Sequence, residues 1–147
     1  MAVATQEVFA HTDALVEIWD AGAATPANTL LVKGGRAGVT LTNTAGIATK
    51  RTKAVGPYDL SAPAFPGVGN DLATAVGTRA TGVAVDGTWE FEGVAGATLA
   101  TAQTADVYVT GAGALTLTAG TNTKVGVVNY PATYVKVAGT LPVKIGA

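Results

Sequence analysis

The chain is written in short runs of alternating apolar and polar residues cut by Gly, Asn, Asp or Pro, and a period of two is the mark of strands. In the C-terminal half Val107 and Val109 alternate with Asp106, Tyr108 and Thr110. Leu115 and Leu117 alternate with Ala114, Thr116 and Thr118, and Val125 and Val127 come next. Val135 and Val137 alternate with Tyr134 and Lys136, then Leu141, Val143 and Ile145 with Pro142 and Lys144, and Ala138-Gly139-Thr140 makes the turn between them. Both lysines are then expected to face water. Pro142 has no N–H to give to a ladder, so the last run is expected to be an edge strand or to begin irregularly. An edge can accept a neighbour's strand.

Earlier in the chain, strands are expected over 15–19, 30–33 and 38–42, the last two joined by Gly34-Gly35-Arg36-Ala37 as a glycine-rich hairpin turn. The decapeptide Val83-Ala84-Val85-Asp86-Gly87-Thr88-Trp89-Glu90-Phe91-Glu92 is open to two readings. Asp-Gly signals a two-residue hairpin, yet Val83, Val85, Trp89 and Phe91 share a parity that suits one long strand kinked at Gly87. In both, Trp89 and Phe91 point together and Asp86, Glu90 and Glu92 form an acidic face. Pro57, Pro63 and Pro66 with several glycines over 56–69 exclude a central strand and predict a long surface excursion. A short helix is expected only over 70–76, capped by Asn70 or Asp71 and ended by Gly77.

The 147 residues suit one domain: an N-terminal arm with the first strand over 1–20 and a single β domain over 21–147, with the excursion at about 55–76. With 48% hydrophobic and 13% charged residues the chain is expected to fold. Nine Lys and Arg against ten Asp and Glu give a net charge of −1, too little field to draw in nucleic acid or an anionic membrane. A surface built largely from Ala, Thr and Gly is easier to understand if much of it is covered, which suggests an assembly subunit. The absence of Cys removes disulfides, thiolate metal sites and a thiol nucleophile. No basic then apolar leader and no membrane-length apolar run is seen, so the chain is expected to be made in the cytosol without an anchor.

Catalytic chemistry finds little support. The one histidine, His11, has Asp13 nearby but lies in the expected arm, and the one serine, Ser61, sits between Leu60 and Ala62 without the small neighbours of a nucleophile elbow. Glu90 and Glu92 share a strand face, whereas glycosidase carboxylates flank a cleft and commonly come from separate elements. The acidic residues are too scattered for a calcium loop. No run fits a phosphate-binding glycine motif, since Gly111-Ala112-Gly113 leads into Leu115. No enzyme activity, cofactor or metal is expected. The residues singled out as an interface are the basic cluster Lys50, Arg51 and Lys53, the carboxylates Glu90 and Glu92, and the aromatics Trp19, Trp89 and Phe91. In a domain this poor in aromatics such side chains are more often core, the alternative being that one of them anchors the interface.

The order of the motifs adds a resemblance. The run from Ala27-Asn28-Thr29-Leu30-Leu31-Val32-Lys33-Gly34-Gly35 through Arg36-Ala37-Gly38-Val39-Thr40 resembles the opening of the capsid-cement (head decoration) proteins of tailed bacteriophages, and Thr81-Gly82-Val83-Ala84-Val85-Asp86-Gly87-Thr88-Trp89-Glu90-Phe91 is similar to their next strand pair. Asp106-Val107-Tyr108-Val109, Leu115-Thr116-Leu117-Thr118 and Lys124-Val125-Gly126-Val127 resemble the family's Val-Tyr strand, Leu-Thr hairpin and Gly-Val return, and Tyr134-Val135-Lys136-Val137 its closing strand. The resemblance covers roughly two thirds of the chain; the excursion and the N-terminal lead are unmatched. It implies a small β-barrel or β-sandwich, trimeric, on the outer surface of a phage head, where it clamps neighbouring copies of the major capsid protein. Two other readings stand beside it. One is a tail- or fibre-associated β module. The other is a carbohydrate-binding β-sandwich with Trp19 or Trp89 as a stacking platform.

Overall fold

A computed structural model describes residues 1–9, 15–44, 50–51, 54–55, 58–59, 62–63 and 79–147. The fold is all-β, with no helix among these residues, and two antiparallel sheets make a small sandwich. The larger sheet runs β1 (Ala4–Phe9), β10 (Thr88–Phe91), β14 (Leu141–Ile145), β13 (Thr123–Val128), β11 (Asp106–Val109), β12 (Leu115–Thr116). The smaller runs β2 (Val16–Asp20), β9 (Ala80–Ala84), β4 (Arg36–Thr40), β3 (Leu30–Lys33). Four two-residue strands, β5 (Lys50–Arg51), β6 (Ala54–Val55), β7 (Tyr58–Asp59) and β8 (Ala62–Pro63), pair β5 with β8 and β6 with β7. His11, Ser61, Lys53 and the helix expected over 70–76 lie outside the described residues.

Alternation puts one side chain in two on the inner face of each sheet. Leu30, Ala37, Val39 and Ala84 from the smaller sheet meet Trp89, Phe91, Val107, Val125, Val143 and Ile145 from the larger, forming one core. Between β3 and β4 the register Lys33↔Arg36 leaves Gly34 and Gly35 as a two-residue turn. Both have positive φ, +58° and +77°, the geometry that matches the right-handed twist of the two strands. The sheets are also tied at a corner: Val3 bridges Thr29, Ala4 N–H donates to the Asn28 carbonyl (2.7 Å) and Leu30 N–H to the Ala2 carbonyl (2.8 Å). Buried hydroxyls are satisfied locally, as where Thr29 and Thr40 both donate to the Pro26 carbonyl (2.9 and 2.8 Å).

Three expectations are corrected. The decapeptide is not a hairpin, because no ladder joins β9 to β10: the chain turns at Gly87 (φ +97°) and passes from the smaller sheet into the larger. Nor is it one long strand kinked at Gly87: β9 ends at Ala84, β10 begins at Thr88, and the core takes Ala84 rather than Val83 together with Trp89 and Phe91. Tyr134 to Val137 is not a strand despite its alternation, since it finds no partner among the described residues. The final run, β14, is not an edge, since it lies between β10 and β13, but it does begin irregularly: its ladder with β13 starts only at Val143. Its fully buried proline is tolerated there because β13 ends at Val128. Pro142 faces Asn129 just beyond that end, and the Asn129 N–H donates to the Pro142 carbonyl (3.0 Å) with no return bond required.

Candidate functional site

The kink at Gly87 divides the acidic face expected of this segment. Asp86 stays on the near side of it, beside a cavity of about 370 Å³ that Arg36 and Lys124 also line, and its Oδ1 is buried without a partner among the described residues. Glu92 is exposed just past the end of β10. Glu90, on the outer face of β10, is half-buried and held from three directions. Thr5 Oγ1 donates to its Oε1 (2.7 Å), Gln6 Nε2 to the same oxygen (3.3 Å) and the Tyr134 hydroxyl to Oε2 (2.6 Å). These donors, Tyr134 first, hold its pKa below the usual carboxylate range, while burial and the neighbouring carboxylate push the Tyr134 phenol up. A carboxyl used as a proton donor needs the opposite shift. Glu90 is suited to fastening β1 and the 130–137 segment to β10.

That fastening carries a pH signature. A carboxyl whose folded pKa is depressed contributes stability that is present above its unfolded pKa and lost as pH falls through the folded one. Tyr134→Phe removes the hydroxyl donor and is expected to cost about 1 kcal/mol at neutral pH, a half-exposed hydrogen bond to a charged group. Urea titrations at neutral pH and below the carboxylate range check this. The gap between wild type and variant should close in acid, and a gap that stays constant would mean Glu90 is not what the hydroxyl stabilises.

Beside this lock lies an apolar surface. The Tyr130 and Tyr134 rings stack with centroids 6.0 Å apart, and Lys136 Nζ sits 4.5 Å from the Tyr130 centroid. Next to them Leu99, Val135 and Val137 are exposed. A second exposed group, on β2 and just past the end of β4, comprises Val16, Ile18 and Leu41, while Leu15 is exposed beside the cavity that Arg36 and Asp86 line. Val16 and Ile18 share a face with the core residues Ala84 and Val39, but at the margin of the sheet, where the larger sheet does not cover them.

On the other face of β2, Glu17 accepts two hydrogen bonds from Arg36 (3.0 and 2.6 Å) and one from the Trp19 indole N–H (2.8 Å). Arg36 also lies 5.9 Å from the Trp19 ring centroid. The guanidinium, then the indole, draws the Glu17 pKa down, and the carboxylate draws that of Arg36 up.

The aromatics and carboxylates singled out from the sequence therefore do not gather in one place. Trp89 and Phe91 belong to the core between the sheets, and Trp19 is buried on the outer face of the smaller sheet beneath Arg36. Lys50 and Arg51 form β5, and Glu90 and Glu92 lie at β10. Tyr134, Val16 and Ile18 were not singled out. The available signals were Tyr130 and Tyr134 ahead of Lys136, and the unbroken apolar-acidic-apolar order of Val16-Glu17-Ile18. Compared with protein-family models, curated proteins and solved structures, the chain matches none.

Proposed function

We propose that the chain is a structural virion protein, a capsid cement that binds the outside of an expanded phage head and clamps neighbouring major capsid subunits. The observation that carries this reading from the geometry is the surface. Among the described residues ten large apolar side chains are exposed, Leu15, Val16, Ile18, Leu99, Val135 and Val137 included, on a chain of net charge −1. Such a surface favours association. The motif order that resembles the cement family supplies the kind of assembly. The subunit is made in the host cytoplasm and ends on the outer capsid surface, as a homotrimer, with no enzymatic step. Many modest contacts repeated over a lattice stabilise the assembled shell because they bind it in preference to the loosened one.

Burial of Trp19 and Trp89 leaves the carbohydrate reading without its stacking platforms. The test is co-sedimentation with expanded and unexpanded heads of the source phage at low and moderate salt. Binding to expanded heads alone is expected, saturating at a fixed ratio per capsid subunit. With so little net charge, it should change little with salt. Failure to bind either form would overturn the reading in favour of the tail or fibre module.

A further inference from the structure

A sandwich has four sheet edges to protect, and three of the four here are blunted. β1 shifts register twice along β10 and carries Gln6 and Glu7. β12 is two residues long. The outer side of β3 is capped where Val3 bridges Thr29 and the Ala2 carbonyl takes the Leu30 N–H. Bulges, short length and cover are the usual protections of an edge strand. β2 has none of them among the described residues. It pairs with β9 in unbroken register over Val16↔Ala84 to Asp20↔Ala80, and it shows Val16 at 48% and Ile18 at 37% exposure.

The backbone of β2 is set for a further strand. The Leu15 carbonyl accepts from the Val85 N–H and the Ala21 N–H donates to the Arg79 carbonyl, so the odd-numbered residues bond inward to β9. Antiparallel alternation then turns the N–H and C=O groups of Val16 and Ile18 outward, while the Asp20 carbonyl accepts from Lys33 Nζ (2.8 Å).

The same chain also carries a strand-like segment with no sheet to join. Tyr134-Val135-Lys136-Val137 has the alternation of a strand. Yet the N–H groups of Val135, Lys136 and Val137 have no partner among the described residues, and Val135 and Val137 are 80% and 55% exposed. A strong local preference left unmet inside the fold marks a place where the sequence answers to something outside it. The Tyr134 hydroxyl on Glu90 anchors the start of the segment.

We propose that residues 134–137 of one copy add to the open edge of β2 in a second copy, antiparallel, with Val135 opposite Ile18, Lys136 opposite Glu17 and Val137 opposite Val16. In this register the two valines are the hydrogen-bonded partners and extend the apolar face of Val16 and Ile18. Lys136 and Glu17 form the closer, non-hydrogen-bonded pair with opposite charges. A carboxylate has about four acceptor positions; Arg36 and Trp19 occupy three on Glu17, leaving one for an ammonium. Lys136 exchanges its present 3.5 Å contact with the Leu99 carbonyl and its place over the Tyr130 ring for that position. Each copy gives β2 to one neighbour and 134–137 to another. The contact is thus head-to-tail, and an assembly of finite mass must close as a ring. The proposal does not rest on capsid binding, and its test uses no capsid.

The experiment is sedimentation equilibrium of the purified chain over a dilution series, with amide hydrogen exchange read at Val16 and Ile18. The wild type should be a closed oligomer whose Val16 and Ile18 amides are protected until it dissociates. Lys136→Glu should move the dissociation midpoint about tenfold upward in concentration, and Lys136→Glu with Glu17→Lys should recover part of that loss. Val16→Pro removes only an outward N–H at the first residue of β2, where the fold tolerates proline, and should dissociate the oligomer while leaving thermal unfolding of the subunit nearly unchanged. A monomer at all concentrations overturns the proposal. So does an oligomer indifferent to both Lys136→Glu and Val16→Pro, or protection of the two amides in the monomer.

Discussion

Replacing Phe91 by alanine should remove about 3–5 kcal/mol of stability, the usual cost of a large cavity in a packed core. Phe91 is fully buried on β10, the strand that pairs with β1 on one side and β14 on the other, so its cavity opens where the larger sheet faces Val39 and Ala84. Relaxation is limited because both flanking ladders fix the strand. Against a total stability of roughly 5–15 kcal/mol the loss should lower Tm on the order of 10 °C for a chain of this length. Denaturant unfolding with an unchanged slope is the check. Phe91→Leu should cost much less, since it keeps most of the volume. A loss below about 1 kcal/mol for Phe91→Ala would show that the side chain serves a partner and not the core.

A second large effect is expected at Gly126. It lies on β13 between Val107 of β11 and Ile145 of β14. A Cβ there would collide with the Lys144 carbonyl oxygen, while standing 2.9 Å from the Lys144 carbonyl carbon and 3.1 Å from the Ile145 Cα. All three are backbone atoms of a central strand, so no rotamer change relieves them. Gly126→Ala should cost at least about 3 kcal/mol by forcing β13 and β14 apart, the severe end of overpacking. Gly111→Ala is the control, since a Cβ at Gly111 meets nothing within 4 Å. It should change stability by less than about 0.5 kcal/mol. Thermal unfolding of the pair separates them, and equal stability would refute the close approach.

Much of the fold was legible in short-range pattern. Gly34-Gly35 between two alternating runs gave the β3–β4 hairpin, and the valine and leucine alternations gave β11, β12, β13 and β14. What could not be read is long-range pairing. Alternation fixes which residues share a face, but the cover over that face comes from strands far away in the chain. So Trp89 and Phe91 could be read as pointing together, with the core as their commoner place, but the distant strands that cover them could not be read. Tyr134 to Val137 could be read as strand-like but not as unpaired. Pro142 argues for an edge unless one knows that β13 stops opposite it. The Glu90–Tyr134 lock joins residues 44 apart in sequence through side chains that look ordinary singly.

The strand order also bears on how the protein is made. Among the described residues β14 is the latest strand in chain order, yet it is a central strand of the larger sheet and links the β1–β10 half to the β13–β11–β12 half. A nascent chain can form the β3–β4 hairpin early, but until 141–145 leave the ribosome the two halves of the sheet have nothing between them and the inner face of Phe91, Val107 and Val125 stays open. Closure of the larger sheet therefore waits on this one strand. A product cut short before Leu141 loses the middle of its sheet rather than a margin, and is a natural substrate for quality-control proteolysis.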